Sequence, residues 1–181
     1  MSQLTINIHN VHLHATVQAS APAEAVLSSV DATSVGDAYT LVLADGTHLP
    51  ADCGRTDHVA VIDHATGLMW AVESLGSPDD ADDGLPQAEC AARCAALDLL
   101  GHNDWRLPTR SELAGLIDDT RHEPAIDTAL FPRVKPRWHW TSTPAAWSSA
   151  SAWLVSLYYG SVSYNLRYDH GFGLACRRAG Q

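Results

Sequence analysis

Alternation of apolar and polar positions predicts that the chain begins with strands. Residues 4–17 keep a period of two over their length, which is the pattern of a strand. A second strand is predicted over residues 39–43, and the Asp45–Gly46 turn leads from it into a short return strand. We therefore interpret residues 1–50 as a β-rich N-terminal extension. Its exposed strands would allow the chain to form a homo-oligomer by adding to a neighbour's sheet.

The pattern changes to a helical period in the middle of the chain. A helix is predicted over residues 85–101, because Pro86 suits a first turn, alanine dominates and Gly101 follows as a terminator. A second helix begins after Thr109, which forms a T-x-x-E capping box with Glu112. The apolar stripe of this second helix is predicted at Leu113, Leu116 and Ile117.

Strands are predicted on both sides of the two helices. Residues 58–72 form a hairpin before them, and residues 138–146 and 151–160 form an antiparallel pair after them. Residues 173–178 are the last strand. This order of strands, two helices and antiparallel strands is an α+β layout, and the main domain is predicted to cover residues 51–181.

Charge and hydropathy narrow the classes of partner. The formal net charge is −10 at pH 7, and no basic patch is available to replace phosphate counterions, so no nucleic-acid partner is expected. No apolar run approaches the roughly 20 residues of a membrane-spanning helix, so no membrane insertion is expected. The N-terminus lacks the basic start and continuous apolar block of a secretory signal. We expect a cytoplasmic protein, or one that is released or associated with a virion.

No combination of residues predicts an enzyme, a metal site or a cofactor. The chain contains no GxSxG, HExxH or phosphate-binding loop, and adjacent Asp169 and His170 would face opposite sides of a strand. Cys90 and Cys94 have no second pair at zinc-like spacing. The acidic run at residues 77–84 departs from the EF-hand pattern, and we interpret it as a loop that favours the following helix N-terminus.

The cysteine content leaves the redox state open. The four cysteines, Cys53, Cys90, Cys94 and Cys176, allow three connectivities if all of them pair. A reducing compartment would instead keep them as thiols.

Four motifs occur in order along the second part of the chain. They are TGLMW at 66–70, DWRLPTRSELAGLID at 104–118, WTSTP at 140–144 and AWLVSLYYGSVSYNLRYDHGFGLACRR at 152–178. Together they resemble the Lcl-type C-terminal domain family, which is known from bacterial surface adhesins and phage-related proteins and whose function is largely unassigned. That family is similar to the C-type-lectin-like fold, in the branch of the formylglycine-generating enzymes. The resemblance implies two helices flanking twisted antiparallel sheets.

The resemblance has consequences for individual residues. Residues 105–107, Trp-Arg-Leu, would stand where the second helix begins, with Trp and Leu in the core and Arg as a donor to loop carbonyls or a carboxylate. In related members a helix cysteine pairs with a cysteine of the last strand, which implies a Cys94–Cys176 disulfide. Cys53 and Cys90 are then a second candidate pair.

The segment before the last strand is the ligand-facing region in that fold. The candidate ligand-binding residues in this segment are Tyr158, Tyr159, Ser161, Ser163, Tyr164, Asn165, Leu166, Arg167, Tyr168, Asp169 and His170. Their composition independently favours recognition, because Tyr gives rigid contact area at small entropic cost while Ser and Asn adapt their hydrogen bonds. In the alternative interpretation, the Tyr rings cover a polar strand face and stabilise the sheet through cross-strand pairs.

The same residue types suggest how the segment varies. Substitutions at the adenines of an AAC codon can encode each of these residue types, but they cannot encode Lys, Glu, Gln, Met or Trp. Residues 154–175 contain none of these five. This resembles the variable region of proteins diversified by retroelements. A relative without a retroelement would show the same pattern by ordinary descent.

We therefore expect a non-enzymatic module that binds a protein or glycan ligand on another cell or particle. Trp147 and His139 would join its surface from the preceding strands, and a core position for Trp147 is the alternative. Two other functions stay open. One is a structural surface or virion component without a dedicated ligand. The other is calcium-free carbohydrate binding, because the EPN, QPD and WND motifs of calcium-dependent lectins are absent.

Overall fold

The structure, a computed structural model, describes residues 35–80 and 82–180, which form short helices and strands. The elements are α1 (Val35–Ala38), β1 (Tyr39–Val42), β2 (His48–Pro50), a 3-10 turn (Ala51–Cys53), β3 (Ala60–Asp63), β4 (Leu68–Leu75), α2 (Gln87–Ala95), α3 (Arg110–Ala114), β5 (Trp138–Ala145), β6 (Ser148–Ser156), β7 (Val162–Leu166) and β8 (Gly173–Arg178). The strand predicted over residues 4–17, and the self-association predicted for it, lie outside the described residues.

The named strands of the described residues form two antiparallel sheets. The first has five strands in the order β2-β1-β3-β4-β8, and the second has three in the order β5-β6-β7. The last strand pairs with β4 and so completes the first sheet. The α+β class, with mostly antiparallel sheets and the two predicted helices, is confirmed.

The predicted division between residues 50 and 51 falls inside the first sheet. β1 pairs with β3 along its length, from Tyr39 opposite Asp63 to Val42 opposite Ala60. The compact unit that contains the described residues begins at Thr33. Backbone hydrogen bonds therefore join residues 39–50 to the main domain rather than to a separate extension.

The inner strands of the five-stranded sheet and its last strand, β8, are largely buried on both faces. Along β4 and β8, Trp70 and Leu174 belong to one cluster of buried side chains, which includes Leu113 of α3. Their neighbours Met69 and Ala175 belong to a second cluster, which includes the buried cysteines of α2. Because successive side chains of a strand point to opposite faces, α3 covers one face and α2 covers the other.

The predicted capping box is formed at the start of α3. The Thr109 hydroxyl accepts a hydrogen bond from the Glu112 N–H at 3.3 Å, and the Glu112 carboxylate accepts one from the Thr109 N–H at 2.7 Å. The same carboxylate receives both terminal nitrogens of Arg106, at 2.8 and 2.9 Å. These bonds lower the pKa of Glu112 to about 2, with the Arg106 guanidinium as the main cause. The apolar stripe of α3 and the turn after it also packs as predicted, through Leu113, Leu116 and Ile117.

Residues 105–107 have the structural roles that the sequence indicates. Trp105 and Leu107 are buried, and Arg106 donates to the Leu107 carbonyl at 3.1 Å as well as to the carboxylate. The Arg106 backbone exchanges two hydrogen bonds of 2.9 Å with Cys176. This segment therefore joins the approach to α3 to the end of β8.

α2 ends six residues before the predicted terminus at Gly101. It covers Gln87–Ala95, and Leu100 takes a left-handed conformation with a φ of 57°. Leu97 and Leu99 extend the apolar pattern, but they pack against the second cluster from an irregular segment. The pattern was therefore right about burial and wrong about the helix end.

All four cysteines are free thiols, so neither candidate disulfide is formed. Cys176 lies in the cluster on the α3 face of β8, whereas Cys94 lies in the cluster on the α2 face. The strand itself separates the two sulfurs, which explains why the predicted Cys94–Cys176 bond is absent. Cys53 is exposed and Cys90 is buried. Burial raises the pKa of Cys90, Cys94 and Cys176 to about 12, which keeps them protonated.

Candidate binding surface

The candidate segment is built around β7, one of the two outer strands of the three-stranded sheet. All five residues of β7 are exposed, although the strand beside it, β6, is largely buried. The register places Tyr164 opposite Trp153 and Ser163 opposite Leu154. Alternate residues of β7 therefore line two accessible faces of one strand.

Each of the eleven predicted residues reaches the surface. Tyr158, Arg167 and Asp169 are half-buried. The exposed ones are Tyr159, Ser161, Ser163, Tyr164, Asn165, Leu166, Tyr168 and His170. The structure therefore brings the predicted residues together on one continuous strand and its two flanking turns.

An aromatic group on one face extends this surface beyond β7. The Tyr164 ring lies 4.9 Å from the Trp147 ring and 6.0 Å from the Trp153 ring, in edge-to-face geometry. The Arg110 guanidinium lies 4.4 Å above the Trp153 ring as a cation–π contact. Trp147 is 60% exposed, so its predicted surface position is right and the core alternative is wrong.

Two members of this group, Trp153 and Arg110, are missing from the predicted surface. Trp153 alternates with buried Leu154 on β6, so it had to face the side opposite to Leu154. That alternation was a usable signal. Arg110 stands at the start of α3, and its N–H donates to the Thr143 hydroxyl of β5 at 2.9 Å. No sequence pattern signalled that this contact places Arg110 over the sheet.

His139 does not belong to the surface. It is fully buried, with Nε2 2.7 Å from the Ser74 hydroxyl and Nδ1 3.0 Å from the Arg137 carbonyl. The register explains the error, because β5 places His139 opposite buried Val155. The side chain therefore faces the interior between the two sheets.

The turns that flank β7 are held in place by specific contacts. In the first turn, the Tyr158 and Tyr159 rings pack edge to face at 4.8 Å, and the charge of nearby Glu123 raises the pKa of Tyr158. In the second turn, the Arg167 carbonyl accepts the Gln87 N–H at 2.9 Å. These contacts position the surface against the loop before β5 and the start of α2.

A shallow depression of about 250 Å³ lies beside β7. It is lined by Trp138, Leu154, Ser163, Tyr164, Asn165 and His170. His170 is held at its rim, with Nδ1 3.1 Å from the Asp83 carboxylate. The depression thus offers aromatic and hydrogen-bonding groups to a partner.

The sequence of residues 59–177 matches the family model described as the Lcl C-terminal domain. The chain belongs to this family. A comparison with curated proteins finds no match. The matched range begins just before β3 and ends within β8. The Lcl C-terminal domain therefore includes the whole three-stranded sheet, to which β7 belongs.

The described residues show which functional groups the Lcl C-terminal domain presents. Within residues 35–80 and 82–180, no three His, Cys, Asp or Glu side chains are grouped so that they could hold a metal ion. In the same part of the chain, no helix is long and apolar enough to cross a membrane. The β7 surface itself offers aromatic rings, hydroxyls, the Asn165 amide and the Arg110 and Arg167 cations. Such groups suit recognition by contact.

Proposed function

We propose that this domain is a non-enzymatic binding module, and that the surface around β7 recognises a protein or glycan ligand on another cell or particle. One observation carries the proposal. In the described part of the chain, every exposed large hydrophobic side chain lies on this one surface. These side chains are Trp147, Tyr159, Val162, Tyr164, Leu166 and Tyr168.

This concentration favours binding over a purely structural role. Isolated exposed apolar side chains are ordinary, but five of these six lie on β7 and its two flanking turns, and the sixth, Trp147, contacts Tyr164. Such a concentration of exposed apolar side chains is typical of an interaction site. The alternative of sheet stabilisation fits Tyr164, which packs against two tryptophans. It does not fit Tyr159 and Tyr168, whose side chains are 67% and 69% exposed.

The finer fold that we propose is the C-type-lectin-like one. Its support is the α+β arrangement, with two helices packed on antiparallel sheets and a recognition segment directly before the last strand. Binding would not require calcium, because aromatic rings and neutral polar groups dominate the surface. Calcium-free carbohydrate binding is therefore one form of the proposed function, and protein binding is the other.

The binding proposal is tested with the double variant Tyr159→Ala/Tyr168→Ala. The full chain and the variant are screened against arrayed glycans and displayed extracellular protein domains. We expect at least one ligand for the wild type and about a tenfold loss of affinity in the variant, because exposed tyrosines are common hot spots. The unfolding midpoint should change little, because both residues are exposed and the variant loses only the edge-to-face contact between Tyr159 and Tyr158.

His48→Ala is the matched control, because His48 is exposed on β2 of the other sheet. This variant should bind as the wild type does. A ligand that the tyrosine variant binds with unchanged affinity would place recognition elsewhere. The absence of any ligand would favour the structural role.

We further propose that the segment is diversified by a retroelement. The support is positional, since all eleven candidate residues are accessible while residues 154–157 just before them are buried. The DNA that flanks the coding sequence should contain a near-repeat of the codons for residues 150–178 beside a reverse-transcriptase gene, with mismatches confined to adenines. Sequencing that finds no such repeat would reduce the segment to an ordinary binding surface.

A further inference from the structure

The outer edge of β7 has unpaired backbone groups, and their positions follow from the register. The Ser156 N–H bonds to the Ser161 carbonyl at 2.8 Å, and the Arg167 N–H bonds to the Ala150 carbonyl at 2.9 Å. Hydrogen-bonded and non-bonded pairs alternate along an antiparallel ladder. Ser161 and Arg167 therefore belong to hydrogen-bonded pairs with β6. Counting every second residue between them, Ser163 and Asn165 also bond to β6.

The backbone groups of Val162, Tyr164 and Leu166 then point away from β6, toward the outer edge. One of these groups already has a local partner, because the Leu166 N–H donates to the Asn165 side chain at 3.0 Å. β7 contains none of the features that usually block an edge strand, since the sequence VSYNL has no proline, no charge and no bulge. Such an edge accepts another strand.

We propose that the occupant of this edge is a second copy of the chain, paired antiparallel through β7 about a two-fold axis at Tyr164. The pairing joins two three-stranded sheets into one six-stranded sheet. It adds about six backbone hydrogen bonds. The Leu166 N–H of each copy must first break its bond to the Asn165 side chain before it can join them.

The side chains of β7 match each other under this symmetry. Val162 of one copy would lie opposite Leu166 of the other, and Tyr164 would lie opposite its own copy. On the other face, Ser163 would lie opposite Asn165. Apolar groups therefore meet apolar groups and polar groups meet polar groups, which is the self-complementarity that an isologous interface requires.

Charge does not oppose a second copy at this edge. The chain carries a formal net charge of −10, so most of its surface repels a copy of itself. β7 has no charged residue, and its neighbour Arg167 would lie opposite Ser161 rather than opposite a like charge. The edge is therefore a place where two copies can approach without direct repulsion.

The test is sedimentation of the full chain over a range of concentrations, with two double variants. Val162→Lys/Leu166→Lys places like charges opposite each other at both symmetry-related pairs. We expect it to weaken the dimer about tenfold, because each pair contributes up to about 1 kcal/mol. Val162→Lys/Leu166→Glu makes the same positions oppositely charged, and we expect it to restore the dimer to nearly the wild-type affinity.

Three results would overturn the proposal: a wild-type chain that stays monomeric, a dimer insensitive to the like-charged variant, or equal weakening by both variants. Hydrogen exchange provides a measurement that does not depend on variant folding. The Tyr164 amide should become protected as concentration rises, whereas the Ser163 amide is protected by β6 at every concentration. Equal exchange of the Tyr164 amide at low and high concentration would also refute the pairing. The two tests are distinguishable although both concern β7, because the variants Tyr159→Ala and Tyr168→Ala of the ligand test lie outside the paired strand.

Discussion

Gly171→Ala is expected to lower the free energy of unfolding by about 3 kcal/mol, because no space exists for one more methyl group. A Cβ atom at this position would lie 2.8 Å from the Trp140 Nε1 atom and 3.2 Å from the Leu154 side chain. Neither neighbour can move freely. Trp140 is fully buried and donates to the Leu85 carbonyl at 3.0 Å.

The same position is fixed on its other side by backbone. Leu85 and Gly171 exchange two hydrogen bonds, of 2.7 and 3.0 Å. A Cβ at the facing Gly84 would lie 2.7 Å from the Gly171 nitrogen, so Gly84→Ala should have a similar cost. Crowding at either glycine would separate the loop before α2 from the turn that follows β7.

Gly46→Ala is the control for the conformational preference of glycine. Gly46 has a φ of 83°, and a Cβ atom added there would meet no neighbour within 4 Å. Only backbone strain of about 1 kcal/mol is therefore expected from this substitution. Urea unfolding of the three variants measures the difference. If Gly171→Ala cost no more than Gly46→Ala, close packing around Gly171 would be refuted.

The glycines show where sequence interpretation reached its limit. A glycine between two strands is ordinary in a turn, and nothing in the sequence around Gly171 indicates that the position is also tightly packed. The requirement for glycine comes from Trp140 and Leu85, which are far away in the sequence. No local pattern contains that information, because it depends on how the two sheets meet.

Local patterns were sufficient where the determining contacts are local. The capping box needs only Thr109 and Glu112, and it is formed as predicted. The strand pair β5–β6 and the last strand also follow from alternation and composition. The end of α2 does not, because Leu97 and Leu99 continue an apolar pattern whose burial is achieved outside the helix.

The binding surface was predictable in part for the same reason. A dense run of Tyr, Ser and Asn indicates exposure wherever the strand lies, and all eleven predicted residues are accessible. The residues that other strands and helices contribute to this surface could be predicted only with knowledge of the strand register. Trp153 joins the surface because β6 pairs with β7, and Arg110 joins it because α3 packs on β6. His139 leaves the surface because β5 places it opposite buried Val155. Long-range register therefore decides which residues complete a locally predictable segment.

Acidification from pH 6.5 to pH 4 is expected to destabilise the domain by about 3 kcal/mol through His139 alone. Burial lowers the pKa of His139 from 6.5 to about 4, although the bond to the Arg137 carbonyl acts in the opposite direction. In the unfolded chain the imidazole binds its proton near pH 6.5. The folded protein does not bind this proton until about pH 4. The contribution of His139 to the free energy of unfolding is therefore fully present above pH 6.5, and it is lost as the pH falls from 6.5 to 4.

The hydrogen bonds around the ring explain why the folded state holds neutral imidazole. A carbonyl can only accept, so Nδ1 carries the hydrogen that bonds to Arg137. Nε2 must then accept from the Ser74 hydroxyl at 2.7 Å, and the Ser74 oxygen in turn accepts the Lys135 N–H at 2.8 Å. Both ring nitrogens and the Ser74 hydroxyl are therefore satisfied. A proton on Nε2 would place a charge in the core and leave the Ser74 hydroxyl without its acceptor.

Urea unfolding at several values between pH 7 and pH 4.5 measures this contribution, with His139→Gln as the comparison. The variant should be less stable at pH 7 because its side chain cannot reproduce both bonds, but its stability should depend less on pH. Other titrating groups are common to the two proteins, so the difference between their slopes isolates His139. The difference should approach about 1.4 kcal/mol per pH unit below pH 6. Parallel slopes would mean that the folded domain protonates this histidine as readily as the unfolded chain does, and the buried neutral ring would be refuted.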